Sequence, residues 1–255
     1  MLLDIQNTVK KITQDALIKR LASGGLYNGI GLLGSKVIMW VSTILFAKTL
    51  TKEEFGDWGY LWTTLLTIML FVEGPFGSAI IKYVSEYKKT SKTKVGQVIV
   101  GYIIVTFPLF IIMIIASFFS NKLAQIIHHE NLVQPIRYFI LSLIPLALVS
   151  ISKSVINGLE EFKINSFLLP FITLADFTIK YIGLMKGGFN GLTSSIILSN
   201  TMQLVIIVPC IIYVLKKNQI NIVLKGVFDQ FKPILTYSFP MLVYIVTPSF
   251  RTRGR

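Results

Sequence analysis

The stretch from Lys48 to Lys89, KTLTKEEFGDWGYLWTTLLTIMLFVEGPFGSAIIKYVSEYKK, decides the fold. A charged turn at residues 52–57 leads into a long apolar run, which Glu73 and a Gly-Pro sequence interrupt and a group of lysines ends. In lipid, a carboxylate or a freed backbone group is tolerated only where protein or a water-filled cavity receives it. The stretch therefore predicts a membrane helix that lines an internal cavity. The residues predicted to break this helix are Gly74, Pro75 and Gly77.

Composition places the chain in the membrane. Of its 255 residues, 53% are hydrophobic and 15% are charged, whereas a soluble domain carries about 25% charged residues. The net charge of +13 would suit nucleic-acid binding, but the lysines lie between apolar segments and leave no soluble domain to carry such a face. We therefore expect no nucleic-acid partner. In a membrane protein, such charge sets orientation and contacts anionic lipid.

Apolar periodicity divides the chain into three parts. Residues 1–22 alternate apolar and charged positions at helical spacing, which predicts an amphipathic helix on the membrane surface. Residues 23–217 are predicted to form a six-helix transmembrane lobe. Residues 218–255 are predicted to form a second surface helix, which lies within 218–232, and then the start of a second lobe. The whole is an all-α membrane protein: a six-helix lobe plus the start of a seventh helix. The segments predicted to cross the membrane are 28–49, 58–82, 95–119, 134–156, 164–186, 191–215 and 233–250.

The connections predict the orientation. Lysine and arginine concentrate before the first segment and after the second, fourth and sixth. The positive-inside rule then gives a multi-pass protein of the cytoplasmic membrane with a cytoplasmic N-terminus. Trp58 and Trp62 are interpreted as part of an outer aromatic belt.

One proline falls inside each predicted helix from the second to the seventh, which favours bent helices around a cavity. These prolines are Pro75, Pro108, Pro145, Pro170, Pro209 and Pro240.

Four ionisable residues fall inside the predicted spans, at Lys36, Glu73, Asp176 and Lys180. Lys36 and Glu73 are expected at one depth, about 12 and 13 Å from the cytoplasmic edge, where they could pair. Asp176 and Lys180 are spaced i, i+4 and can pair within one helix near the midplane. Such pairs are either structural or functional. In the functional hypothesis, the lysines attract an anionic head group and Glu73 or Asp176 takes up a proton to release it.

Two other clusters have simpler interpretations. His128, His129 and Glu130 could ligate a metal, but adjacent side chains point apart, so a solvated loop is favoured and no metal site is expected. Glu53, Glu54 and Asp57 could serve a membrane glycosyltransferase. The pattern Thr51-Lys52-Glu53-Glu54 is instead typical of a capping box.

Four short sequences carry a resemblance to a known family. They are Ala47–Gly56 (AKTLTKEEFG), which Gly74–Glu86 (GPFGSAIIKYVSE) follows; Ile156–Lys163 (INGLEEFK); and Ser238–Pro240 (SFP). In order and spacing they resemble the polysaccharide-export branch of the multidrug/oligosaccharidyl-lipid/polysaccharide exporter superfamily, over its N-terminal half.

The resemblance implies two six-helix lobes that open alternately around a V-shaped cavity with basic residues, which Lys36, Glu73 and Lys180 are expected to face. It implies a flippase, not an enzyme, that moves lipid-linked oligosaccharide across the cytoplasmic membrane for polysaccharide or surface-glycan assembly and needs no cofactor. The alternatives are a drug or lipid exporter of the same superfamily, a membrane glycosyltransferase, or an inactive fragment. Besides this substrate and membrane lipids, the expected partner is a missing C-terminal lobe or, in a homodimer, a second copy.

Overall fold

Helices form almost the whole chain, because long apolar stretches alternate with short charged turns. The computed structural model describes the backbone of residues 2–251 and the side chains of residues 24–70, 74–241 and 243. No strand occurs within the described backbone, which confirms the all-α prediction. The helices are α1 Leu2–Thr49, α2 Lys52–Val72, α3 Ser78–Thr90, α4 Lys92–Phe118, α5 Ser120–Ile126, α6 Val133–Gly158, α7 Phe162–Lys217 and α8 Phe231–Arg251.

Five helices in the described part of the chain are long and apolar enough to cross a membrane. They lie at Gly24–Thr49, Lys52–Thr90, Lys92–Phe118, Glu130–Gly158 and Phe162–Lys217. The last has 56 residues, about 84 Å of helix, which far exceeds the ~30 Å hydrocarbon core. Non-helical dihedral angles at Gly187 and Gly188 divide it into a first half, 162–186, and a second half, 189–217, as the sequence predicts. The chain is an all-α, multi-pass membrane protein.

The two halves of α7 form an antiparallel hairpin. Gly188 has φ of +57°, a conformation that favours glycine and lets the chain reverse. Gly183 and Gly191 then face each other so closely that a Cβ built on Gly191 would lie 2.1 Å from the Gly183 carbonyl oxygen. Small residues allow such close backbone approach between membrane helices. The hairpin therefore depends on glycine at these positions.

The predicted break in the second crossing is a π-helical turn, Glu73–Gly77, that joins α2 to α3. Proline lacks an N–H and its ring clashes with the preceding turn, and a π turn relieves both constraints without ending the helix. Pro75 is buried, and its carbonyl accepts a hydrogen bond from Ser238 Oγ of α8 at 3.4 Å. The helix is locally widened here instead of broken.

The boundary predicted at residue 22 has no counterpart in the backbone, because α1 is one helix from Leu2–Thr49. The side chains of residues 1–22 lie outside the described residues, so their position on the membrane surface stays a prediction.

The predicted surface helix within 218–232 is wrong for its first part. Residues 218–226 are not helical, and the 3-10 turn Val227–Gln230 leads directly into α8. Ile220 and Val227 are buried, and Gln97 of α4 donates a hydrogen bond to the Lys225 carbonyl at 2.7 Å. These contacts with neighbouring elements hold the segment across α4 in a non-helical conformation.

The core consists of two apolar clusters at opposite ends of the helices. One contains Ile80, Val155, Ile172 and Ile207, and the other contains Leu65, Phe139, Leu184 and Ile196. Along both halves of α7, the stretch between the two clusters contains polar residues: Asp176 and Lys180 on the first half, and Ser199, Asn200 and Gln203 on the second. The fold therefore places a polar layer near the middle of the membrane.

We expect Gly191→Ala to lower the free energy of unfolding by about 2 kcal/mol, because the new methyl group collides with the Gly183 backbone. Gly29→Ala in α1 is the matched control, since no atom lies within 4 Å of its built Cβ. It should stabilise the helix by about 0.5–1 kcal/mol. Denaturation in mild detergent measures both values. Equal stability of the two variants would contradict the close approach.

Candidate functional site

An ion pair lies inside the first half of α7. Lys180 Nζ is 2.7 Å from Asp176 Oδ2, one helical turn away, as the i, i+4 spacing predicts. Lys180 is only 2% exposed, and the side chain of Asp176 is 20% exposed. Asp176 lies about 21 Å along the helix from Phe162 and about 15 Å from Lys186, close to the membrane midplane. The pairing of Asp176 with Lys180 is therefore confirmed.

The other carboxylate oxygen of Asp176 binds the second half of α7. Ser199 Oγ donates to Asp176 Oδ1 at 2.8 Å, and Gln203 Nε2 donates to the same atom at 3.0 Å. Gln203 also donates to Asn200 Oδ1 at 3.0 Å, and Asn200 donates to the Ser142 carbonyl of α6 at 3.2 Å. Buried charges are tolerated when they are paired and hydrogen-bonded in this way. One carboxylate thus connects both halves of the hairpin, and the network extends to α6.

Two tryptophans of α2 cover the lysine. Lys180 Nζ lies 4.4 Å from the centroid of the Trp62 ring and 5.9 Å from that of Trp58, within the range of a cation–π interaction. The two indoles stack at 5.8 Å, and Trp58 also meets the ring of Phe139 edge-on. Trp58 is 8% exposed and Trp62 is half-buried, so both rings lie against neighbouring helices, and their place in an outer aromatic belt stays a prediction.

A cavity of about 180 Å³ opens beside this cluster, between α1, α2 and the first half of α7. Polar groups from all three helices reach it together with the aromatic rings. Its lining includes Ser42, Thr43, Phe55, Trp62, Asp176 and Lys180. The stretch 48–89 is predicted to line an internal cavity. Trp58 and Trp62 of α2 line this cavity, whereas the Gly-Pro interruption does not.

Lys36 is exposed on α1, seven residues before Thr43 of the cavity. Seven residues are two turns, so the two side chains share a face of α1 about 10 Å apart. Lys36 therefore faces the same open side as the cavity without lining it. The side chain of Glu73 is outside the described residues, and its pairing with Lys36 stays a prediction.

The turn between α1 and α2 has a structural role. Thr51 N and Oγ1 donate to Glu54 Oε2 at 2.9 and 3.1 Å, and Glu54 N donates back to Thr51 Oγ1 at 3.3 Å. This confirms the capping box. Asp57 Oδ1 lies 3.7 Å from His129 Nδ1. No group of three possible metal ligands occurs among the described residues.

The sequence did not predict Ser199, Asn200 and Gln203 as members of the site. Their spacing offered a signal, since polar residues at i, i+1 and i+4 in an apolar helix mark one inward face. The contact of Trp58 and Trp62 with Lys180 was not predicted either. Only the packing of α2 on α6 turns them towards Lys180.

We expect Asp176→Ala to lower the free energy of unfolding by about 3 kcal/mol or more, because it leaves the Lys180 cation buried without its partner. The double variant Asp176→Asn with Lys180→Met removes both charges and should recover most of the loss. Glu86→Ala, at an exposed carboxylate, should change stability by less than about 0.5 kcal/mol. Denaturation in mild detergent measures all three. A double variant as unstable as Asp176→Ala would show that the unpaired charge is not the cause.

A comparison with protein families matches residues 21–251 to the family described as polysaccharide biosynthesis protein. A search of curated proteins and a search of solved structures each found no match. The family match includes every crossing predicted from the sequence and the whole Asp176 network. Since it covers most of the chain, and since the apolar helices agree with a membrane transporter, the chain belongs to this family of membrane polysaccharide exporters.

Proposed function

We propose that this chain flips a lipid-linked oligosaccharide across the cytoplasmic membrane for polysaccharide or surface-glycan assembly. The observation that carries the proposal is the Lys180 ammonium beside a cavity near the middle of the membrane. A cation at this depth is costly unless it serves a structure or a substrate. An anionic phosphate group linked to a sugar is the substrate chemistry that such a cation would attract, and membership of an export family supports it.

The ion pair suggests how binding and release alternate. Asp176 and an anionic head group compete for Lys180, because the carboxylate already holds the ammonium at 2.7 Å. Proton uptake by Asp176 would free Lys180 for the phosphate, and proton loss would restore the pair and release the substrate. This order is the reverse of the one expected from sequence, in which protonation releases the substrate. Lys36, on the same open side, would add a second positive charge along the path.

The cavity is open on one side, so a second protein surface is needed to enclose a path across the membrane. We propose that a C-terminal lobe or a second copy of this chain supplies it on the side where Lys36 is exposed. A transporting species made of two copies should have about twice the mass of 28.7 kDa, without detergent. Light scattering of the purified protein measures this. A monomer that still transports would contradict a homodimer.

In vesicles with a fluorescent lipid-linked oligosaccharide, the chain should flip the lipid faster in a pH gradient. Asp176→Asn should lower the rate about tenfold and remove the dependence on the gradient, since it removes a charge-assisted bond and the titrating group. Glu73→Gln tests the second candidate for the titrating group. The loss of lipid accessible to an impermeant quencher measures the rate.

Two controls separate the alternatives. Glu53→Gln with Asp57→Asn should leave flipping unchanged, whereas a glycosyltransferase that uses these carboxylates would lose turnover. A fluorescent phospholipid without a sugar should not be flipped, whereas a general lipid exporter would move both. Unchanged gradient dependence in both Asp176→Asn and Glu73→Gln would exclude the coupling role.

We infer a cytoplasmic N-terminus from the lysines that flank the helices. Cysteines introduced at exposed positions in a Cys210→Ser background test this. Asn131→Cys, before α6, should react with an impermeant maleimide in intact cells, and Thr90→Cys, before α4, only after the membrane is opened. Labelling in the opposite order would reverse the orientation.

A further inference from the structure

A polar pocket of about 550 Å³ lies where α4 and α8 begin. Its lining comes from the end of α3, the first two turns of α4 and the 3-10 turn that leads into α8. Among the described residues, it shares none with the cavity beside Lys180. Two predicted spans, 95–119 and 233–250, begin at the level of its lining residues Lys94 and Pro233. The pocket therefore lies at the depth of lipid head groups.

Two oxygen acceptors on one side of the pocket lack a donor. Gln230 is 6% exposed, and its side-chain oxygen Oε1 is buried without a hydrogen-bond partner in the described part of the chain. Asp229, the preceding residue, is exposed and forms no ion pair with a described residue. A buried oxygen without a donor is costly, and an ionised carboxylate only accepts hydrogen bonds. A ligand that completes this side must therefore donate hydrogen bonds, and a positive charge on it would suit Asp229.

The other side of the pocket is positive. Lys94 is exposed, pairs with no carboxylate among the described residues, and holds its ammonium 5.3 Å from the ring centroid of Tyr87. Ser91 Oγ accepts a hydrogen bond from the Lys94 N–H at 3.4 Å and caps α4. The N–H groups of Lys92 and Thr93 have no carbonyl partner within the helix. A lysine beside such a helix start attracts a phosphate group.

Exposed apolar side chains lie on residues 218–230, the segment that leads to the pocket. Leu224 and Phe228 are each 74% exposed. The hydrogen bond from Gln97 to the Lys225 carbonyl holds this segment across α4. Large apolar side chains at the membrane surface are more stable in contact with lipid than with water. The ligand is therefore expected to be part of a lipid and not a soluble molecule.

We propose that this pocket binds the head group of phosphatidylethanolamine, with the phosphate at Lys94 and the ammonium between Asp229 and Gln230 Oε1. This head group combines an anion with a cation that donates hydrogen bonds, which matches the two sides of the pocket. The ammonium of phosphatidylcholine has no N–H and cannot donate to Gln230. Phosphatidylglycerol offers no positive charge to Asp229.

The bound molecule is a resident lipid that contacts α4 and the start of α8 together. It is distinct from the exported substrate, because the pocket is separate from the cavity beside Lys180. The inference goes beyond the proposed function and does not depend on it. A chain that flips nothing would still bind this lipid.

Native mass spectrometry of the full chain, freed of lipid in mild detergent, tests the selectivity. We expect phosphatidylethanolamine to bind at one site about tenfold more tightly than phosphatidylcholine or phosphatidylglycerol with the same acyl chains, since either replacement loses a charge-assisted hydrogen bond. Equal affinity for the three lipids, or tightest binding of phosphatidylglycerol, would overturn the proposal. Displacement of the lipid by an equal concentration of free phosphoethanolamine would also overturn it and would indicate a site for a soluble head group.

Matched variants test each side of the pocket. Asp229→Asn should lower the affinity for phosphatidylethanolamine about tenfold and leave that for phosphatidylcholine unchanged, whereas Glu86→Gln, at an exposed carboxylate outside the pocket, should change neither. Lys94→Gln should lower the affinity for both lipids severalfold, because both carry a phosphate, whereas Lys89→Gln, at an exposed lysine outside the pocket, should not. Equal effects of a variant and its control would indicate general attraction to the surface and overturn the proposal.

Gln230→Met separates a ligand contact from a structural role. It removes the buried oxygen that lacks a partner, so in lipid-free detergent it should raise the midpoint of thermal unfolding. Phosphatidylethanolamine should raise this midpoint in the wild-type chain, because a ligand stabilises the folded state that binds it, and the variant should lose most of this gain. A variant that is less stable without lipid, and that gains as much from phosphatidylethanolamine as the wild type, would overturn the proposal.

Discussion

The ion pair of Asp176 and Lys180 is the constraint on which the rest of the structure depends. Charges near the membrane midplane are costly unless they are paired, so each of the two needs partners in the protein. Asp176 accepts hydrogen bonds from Ser199 and Gln203 of the second half of α7. The ammonium of Lys180 lies over the rings of Trp58 and Trp62 of α2. This one pair therefore links α2 with both halves of α7.

The hairpin of α7 makes that network possible. The reversal at Gly187 and Gly188, together with the close contact of Gly183 and Gly191, brings residues far apart in sequence to one level of the membrane. Apolar clusters pack on either side of the polar layer. In such an environment hydrogen bonds are strong and an unpaired polar group is costly. Any polar group of this layer that lost its partner would therefore strongly destabilise the fold.

The same hairpin presents two chemically opposite surfaces. One face of its first half carries the charged pair towards α1 and α2, and the other carries an apolar groove towards lipid. The hairpin therefore borders both the polar cavity and the apolar exterior of the protein.

The sequence alone predicts the helices and one contact of the candidate site. Apolar stretches separated by charged turns predict the helices, including the division of α7, because the length of a crossing is set by the bilayer. The i, i+4 spacing of Asp176 and Lys180 predicts their contact, since it depends on one helix only. The partners Ser199, Gln203 and Trp62, the cavity and the groove were decided by tertiary structure. These features arise between helices, and periodicity within a helix carries no information about which faces of two helices meet. The non-helical segment at 218–226 shows the same limit, because contacts with α4 override its local apolar pattern.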